Sequence, residues 1–329
     1  MKHDLAIVIP TFNRASFLEE TLKTVFSEIS RYPNRVILVY VSDNCSTDNT
    51  ESIVKNYLDQ GIKYNCNKFN LGFDANVDAS ILLAESAKYV LVLSDDDFLV
   101  EDSLSHYFSL IEKGVSVAYS TAVFMSHDMQ VRNLEFRDES FKYLKEPRTY
   151  IFNSGIEYHA VTKKINCGIS GVMFRREQYL SIDRKPFIGS QFIHVGVRFK
   201  MLAVQNSTIG VINLPLIRYR MGPTDVSIKK QNDIMSVGLG LLDLFTKVES
   251  DYPWSVMGVL YNKELNWVRG LLIGIKSREI LDINIRDKYL KLLLSKRNFK
   301  FLDSIIIMTP HFVFRILYKF YRVFRYQSF

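Results

Sequence analysis

The chain of 329 residues is 47% hydrophobic, 13% aromatic and 23% charged, with a formal net charge of +7. That composition is globular and excludes a disordered chain; the length suits one large α/β domain or a catalytic domain with a smaller appendage. The basic excess gathers towards the C-terminus, which suggests an anionic partner.

Through the first third, apolar β-prone runs alternate with helical patterns, which predicts βαβ units and a mostly parallel sheet. The run "LAIVIP" at 5–10 is almost continuously apolar, as in a strand covered on both faces. Leu18, Leu22, Val25, Phe26 and Ile29 follow at helical spacing. "RVILVYVSD" at 35–43 is the second strand, and "STDNTESIVKNYL" at 46–58 opens a helix with Ser46 or Thr47 as cap. "IKYN" at 62–65 is a third strand, "DANVDASILLAESA" at 74–87 a helix and "YVLVL" at 89–93 a fourth strand. A helix over 101–114, stopped by Gly114, and a strand over 115–124 complete this part.

Ligands of an open α/β sheet bind at the carboxyl ends of its strands. Here those ends carry "PTFN", "SDNCSTD", "NKFNLGF" and "SDDD", all polar or glycine-bearing. Three adjacent carboxylates, Asp95, Asp96 and Asp97, suit a hard divalent cation that shares its coordination sphere with phosphate oxygens. The alternative is that they cap the helix near Glu101. Asp43 has two readings as well: an acceptor for base or ribose hydrogen bonds, or a local cap at a strand-to-helix turn.

Taken together and in order, "IVIPTFNR" at 7–14, "VSDNCSTDNT" at 41–50, "NKFNLGFDANVDAS" at 67–80 and "VLSDDDFL" at 92–99 resemble the catalytic domain of glycosyltransferase family 2. That resemblance covers roughly residues 4–120 and implies the GT-A fold: a Rossmann-like, mostly parallel sheet with flanking helices. It also implies a nucleotide diphosphate sugar donor and Mg2+ or Mn2+ as cofactor. On the matching positions it implies that Pro10, Thr11, Asn13, Arg14, Asp43, Asn70, Asn76, Asp95 and Asp96 bind the donor. Asp97 and Asp95 would hold the metal, as the ends of the family's DxD motif, and Asp96 would share in catalysis.

The acceptor half resembles the family less closely. In "NCGISGVMFRRE" at 166–177, Gly171 and Arg175 match the segment beside the acceptor. The Glu-Asp pair that many members carry as general base is absent; "FIGSQFIHVGVRFKML" at 187–202 stands there instead, with Ser190, Gln191 and His194 as polar candidates. His194 is read as base, acceptor contact or buried structural histidine. The Gly189–His194 pattern resembles that of the subgroup with abequosyltransferase-like O-antigen enzymes. In "LPLIRYRMGPTDVS" at 214–227, which resembles the loop that closes over the diphosphate, Arg220 is the first candidate and Arg218 the second; alternating charge on an exposed edge strand is the other reading.

Two domains are expected. Residues 1–228 form the catalytic domain, with a nucleotide-sugar half at 1–120 and an acceptor half at 121–228. Residues 229–329 form a helical region, from "IMSVGLGLLDLFTKV", "WSVMGVLYNKELNWVRGLLIGI" and "DKYLKLLLSK", ending in a basic amphipathic helix at 310–327. There Arg315, Lys319, Arg322 and Arg325 share one arc opposite Phe312, Ile316, Phe320 and Phe324, as in a helix lying in an anionic membrane surface.

Cys45, Cys66 and Cys167 have neither metal-ligand nor disulfide-framework spacing, which points to a reducing compartment. The N-terminal apolar run is too short for a signal peptide, and no apolar stretch is long enough to cross a bilayer. The expectation is a cytoplasmic enzyme, peripheral at the inner face of the cell membrane; a homo-oligomer is compatible with it. Its acceptor would be a lipid-linked (polyprenyl diphosphate) glycan of bacterial surface polysaccharide, O-antigen or capsule. A soluble or protein-borne acceptor, and a catalytically inactive binding or scaffold protein, are the alternatives. Nucleic acid is not expected, because the strand-end acids repel phosphate without a metal.

Overall fold

The computed structural model describes residues 3–125, 144, 146–163, 165–220, 231–276, 283–295, 303, 308–310 and 312–314. The chain divides into two compact units, one from residues 1–222 with 247–256 and the other from 223–246 with 257–329.

The first unit is mixed α/β. Its parallel half contains β1 (His3–Thr11), α1 (Ala15–Ile29), β2 (Ile37–Asp43), α2 (Thr50–Lys55), β3 (Lys63–Cys66), α3 (Phe73–Leu83) and β4 (Ala87–Val92). β1 is buried from Leu5 to Thr11, as its unbroken hydrophobicity requires, and α1 turns Leu18, Leu22 and Val25 into the core. The helix expected from residue 46 begins only at Thr50. Asp48 explains the delay: its Oδ1 accepts from Thr50 N at 3.1 Å and Thr50 Oγ1 at 2.5 Å, while Oδ2 accepts from Ala15 N at 2.9 Å. Residues 46–49 therefore form a turn that also heads α1.

The second half adds β5 (Phe98–Leu99), α4 (Ser103–Glu112), β6 (Val117–Met125), β7 (Thr149–Phe152), α5 (Gly155–Thr162), β8 (Val172–Arg175), α6 (Arg176–Ser181), α7 (Ile193–Ala203) and β9 (Ile209–Arg220). The strand order is β3-β2-β1-β4-β8-β6-β9-β5, with β7 also on β9. β8 is antiparallel to both neighbours, and β9 runs parallel to β6 and antiparallel to β5 and β7. "LPLIRYR" is therefore the second half of an interior strand, neither loop nor exposed edge. β6 pairs along one side of it, and on the other β5 lies opposite Ile217 and Arg218 while Val100 N donates to Leu216 O at 2.9 Å.

From residue 231 onward the described elements are helices: α8 (Gln231–Val248), α9 (Trp254–Lys276) and α10 (Ile283–Ser295). In the second unit, buried Arg269 pairs with Asp303 through Nε and Nη2 at 2.9 and 2.8 Å, and Tyr289 donates to the same carboxylate at 2.6 Å. Among the described residues no helix is long and apolar enough to cross a membrane. The basic face of Arg315, Lys319, Arg322 and Arg325 lies outside the described residues.

Candidate active site

Strand register gathers the site. β1 pairs with β2 so that Thr11 lies opposite Asp43, and with β4 so that Val8 lies opposite Val92. The residues after β4 therefore leave the sheet beside the end of β1. On the other side of β4, Val172 lies opposite Val92 and Gly171 N donates to Val92 O at 2.9 Å. This brings Ser170 to the acidic triplet, while β5 opposite Arg218 brings in the end of β9.

Every carboxylate oxygen of the triplet accepts a hydrogen bond. Asp95 Oδ2 accepts from Thr11 Oγ1 at 2.7 Å and Oδ1 from Arg14 Nη1 at 3.0 Å. The same Nη1 donates to Asp96 Oδ2 at 3.0 Å, and Ser94 Oγ donates to Asp96 Oδ1 at 2.6 Å. Asp97 accepts from Ser170 Oγ at 2.5 Å and from Arg220 N at 3.0 Å. Thr21, on α1, holds the turn from beneath by donating to the carbonyls of Asp95 and Asp97, each at 3.0 Å. Burial pushes the Asp95 and Asp97 carboxyls above the usual range, and the adjoining Asp96 charge adds to this; Arg14 opposes the rise at Asp95.

None of the three caps α4. The amide donors at its start, Asp102 N and Leu104 N, go to buried Glu28 at 3.0 Å each. With a carboxylate from α1 in that role, the capping alternative for the triplet loses its basis.

Arg220 is buried. Its guanidinium lies 4.8 Å from the Phe17 ring centroid and 5.4 Å from that of Phe98, and it donates to Asp96 O at 3.2 Å and Glu20 Oε2 at 2.6 Å. Arg218, two residues back, is exposed.

The nucleotide-side loops are knit together by amides. Asp43 accepts from Ser46 N at 2.9 Å and from Tyr64 Oη at 2.6 Å, so its carboxylate builds the turn that follows β2. Pro10 lies opposite Ser42 in the register, and Asn13 Oδ1 accepts from Thr47 N at 2.7 Å. Asn76 accepts from Ser42 Oγ and Asn67 Nδ2 at 2.8 and 2.9 Å and donates to Ser42 O at 3.0 Å. Asn70 accepts from Asn44 Nδ2 and from Gly72 N, both at 2.8 Å. Sequence reasoning missed Asn44 and Asn67, although both stand inside the quoted strand ends and their amides were the available signal.

On the acceptor side the predicted residues separate. Gly171 adjoins the triplet through Ser170. Its φ of +82° and a Cβ that would meet Ile217 Cγ1 at 2.9 Å and Ser120 Oγ at 3.0 Å make glycine necessary there. Arg175 does not reach the triplet. It pairs opposite Tyr89 and donates to Tyr89 Oη at 3.1 Å and Gly114 O at 2.8 Å, six residues back along the β4 segment from Asp95, or roughly 20 Å of extended chain.

Gln191 N and Ile193 N both donate to Asp74, at 2.7 and 3.0 Å, so a carboxylate from α3 caps α7; this acid was also missed. His194, on α7, is buried. Its Nε2 lies 2.9 Å from Cys167 O, which fixes Nε2 as donor and Nδ1 as the lone-pair nitrogen. Burial lowers its pKa to about 4, the bond to Cys167 opposing this and Arg198 adding to it. One turn on, Arg198 donates to Asn166 O at 2.5 Å. α7 thus grips the backbone that leads into Ser170.

The donor set is compatible with a hard divalent ion. Asp97 accepts from two neutral donors and its carboxyl is disfavoured as an anion by burial, a strain that a cation relieves. No cluster of three or more acidic, histidine or cysteine side chains poised for a metal occurs among the described residues. Mg2+ and Mn2+ chemistry needs only one or two carboxylates when a diphosphate supplies the remaining oxygens.

The fold is that of the GT-A glycosyltransferases, solved structures of which align with most of the chain. Staphylococcus aureus TarS (residues 1–349, with UDP) aligns over 95% of this chain and 88% of its own, with 14% identity and a TM-score of 0.58. The mannosyltransferase PcManGT of Pyrobaculum calidifontis, with GDP-Man and Mn2+, aligns over 96% and 87%, with 13% identity and a TM-score of 0.56.

Residues 6–180 match the family model "Glycosyl transferase family 2", and the chain belongs to that family. Abequosyltransferase RfbV of Salmonella typhimurium is 27% identical over 237 residues, 69% of each chain. A GalNAc(5)-diNAcBac-PP-undecaprenol beta-1,3-glucosyltransferase of Campylobacter jejuni is 30% identical over 122 residues, 36% of this chain and 38% of its own length.

Proposed function

We propose that the protein transfers a hexosyl or deoxyhexosyl group from a nucleotide diphosphate sugar to a hydroxyl of a lipid-linked glycan in bacterial surface polysaccharide biosynthesis. The observation that carries this reading is the convergence of Thr11, Arg14, Ser170 and Arg220 on Asp95, Asp96 and Asp97 at the carboxyl end of β4.

In this reading Asp97, with Asp95, would hold Mg2+ or Mn2+, and the ion would supply positive charge to the departing nucleoside diphosphate. Pro10, Thr11, Asn13, Asp43, Asn70 and Asn76 shape the walls against base and ribose, and Arg14 and Arg220 supply positive charge beside the phosphates. Asp96 anchors Arg14 next to the reacting bond. On the acceptor side Gly171 sets the backbone beside Ser170, Gln191 at the head of α7 is assigned to the acceptor, and Arg175 supports β8 and β4. His194 holds the tautomer a general base needs, with Nδ1 as acceptor, and serves as one if the acceptor hydroxyl reaches that buried nitrogen.

The lipid-linked acceptor is supported by the undecaprenol-linked substrate in the name of the Campylobacter relative and by the basic sequence at 310–327. That sequence would keep the enzyme at the inner face of the membrane. The test is a panel of sugar nucleotides with Mn2+ and a polyprenyl diphosphate glycan. Transfer that chelation abolishes is expected; full turnover in the chelator sinks the metal role. Unchanged association with anionic vesicles after removal of residues 310–329 sinks the membrane role.

A further inference from the structure

The same Arg14 nitrogen serves two carboxylates, Asp95 and Asp96, at 3.0 Å each. The other four oxygens of the triplet take neutral donors: Thr11, Ser94 and Ser170 hydroxyls and the Arg220 amide. The second arginine, Arg220, donates from its guanidinium to the Asp96 carbonyl at 3.2 Å and forms its ion pair with Glu20 at 2.6 Å. Among the described residues, Arg14 is thus the cation that forms ion pairs with the triplet's carboxylates. Its side chain keeps 16% of its surface open to solvent, so it can swing outward, and it stands on the turn at the head of α1.

A divalent ion that enters at Asp97 and Asp95 arrives next to this resident positive charge. Like charges a few ångströms apart repel, so an ion without its donor must either displace Arg14 or bind against it. A diphosphate reverses the balance. It brings negative charge to the ion and offers the planar guanidinium two oxygens to bind at once. We propose that Arg14 is a placeholder cation that couples the two ligands: it holds the metal off until a diphosphate arrives, and then moves onto the phosphates. This rests on the reading of Asp97 as a metal ligand and goes beyond it by assigning binding order and its cause. Linkage makes the coupling reciprocal, so the ion and the diphosphate each tighten the other by the same factor.

The experiment uses the full chain and two probes, Mn2+ followed by its paramagnetic signal and inorganic pyrophosphate, with the affinity of Mn2+ for pyrophosphate measured separately. Wild type is expected to bind Mn2+ weakly alone and at least about tenfold more tightly with pyrophosphate, in line with ordinary coupling energies. Arg14→Met is expected to bind Mn2+ alone several-fold more tightly than wild type, to bind pyrophosphate less well, and to lose most of the coupling. Arg14→Lys, which keeps a charge, should retain part of it and guards against a folding defect in the methionine variant. If Arg14→Met binds Mn2+ no more tightly and shows undiminished coupling, the placeholder role is overturned while the metal site stands. If neither wild type nor Arg14→Met takes up Mn2+ with or without pyrophosphate, the metal reading falls and the placeholder falls with it.

Discussion

The two sides of the catalytic unit satisfy their buried polar groups differently. On the donor side every oxygen of Asp95, Asp96 and Asp97 has a donor, and the asparagines of the neighbouring loops bond one another. On the acceptor side, Nε and Nη1 of fully buried Arg198, Nδ1 of His194 and both ring nitrogens of His159 have no hydrogen-bond partner. The donor side is a pre-organised polar cradle, and substitutions there should cost function first. The acceptor side stores unfavourable burial, and substitutions there should alter stability, in some cases for the better.

The largest expected effect tests the donor side. Asp97→Asn keeps the volume and a bond to each partner, Oδ1 accepting from Arg220 N and Nδ2 donating to Ser170 Oγ where the carboxylate accepted from it, but removes the charge. Turnover with any accepted donor should fall about 10³-fold or more, as when a transition-state charge partner is lost. Circular dichroism should stay that of the wild type. Turnover within tenfold of wild type would break the comparison at its strongest point.

Next comes the hinge between the sides. Gly171→Ala places a Cβ in a left-handed backbone at φ +82° against Ile217 and Ser120, and disturbs Ser170 next to it. The cost should be about 2–4 kcal/mol of stability, from backbone strain and overpacking together. Urea unfolding reads it directly, and a loss under 1 kcal/mol would show that this backbone is more tolerant than its packing implies.

The division between the sides also explains what could be read from sequence. The donor-side residues lie in short polar stretches at strand ends, which a parallel sheet gathers at one edge however far apart they stand in the chain. Thr11, Asp43, Asn76 and the triplet were accordingly legible one stretch at a time. Ser170, Glu28 and Asp74 were not, because their partners lie 73 to 119 positions away, a distance that no periodicity reports. β9 was hidden for a related reason: Pro215 and Arg218 lower its apolar contrast, and the strand is specified by three partners, not by its own pattern.

Arg198→Met tests the acceptor side. The guanidinium is fully buried, faces the Tyr119 ring at 5.4 Å and makes one bond, to Asn166 O. A flexible apolar chain of similar length removes a desolvated charge, so the variant should be as stable as wild type or more stable by about 1–3 kcal/mol. Destabilisation beyond about 3 kcal/mol would mean that the charge is compensated after all, and the contrast between the two sides would close.

The smallest effect concerns pH and His159. This ring stacks on Phe199 at 4.5 Å and 8°, and burial, followed by the nearby Arg198 charge, lowers its pKa from 6.5 to about 3. Well above pH 6.5 the imidazole is neutral in both folded and unfolded chains and contributes nothing to pH dependence. As pH falls below that value the unfolded chain binds a proton that the folded protein refuses, so stability is lost until the folded ring itself titrates near pH 3. One such group tilts the curve by at most about 1.4 kcal/mol per pH unit. His159→Phe keeps the stack on Phe199 and removes this proton site. Between pH 7 and pH 5 the variant should therefore lose up to about 2 kcal/mol less stability than wild type. His194, lowered to about 4 in the same way, leaves a residual slope in the variant. Parallel urea titrations at the two pH values decide the matter: identical losses in the two proteins would mean that the His159 pocket admits water and a proton, and that this side of the molecule is less dry than its burial implies.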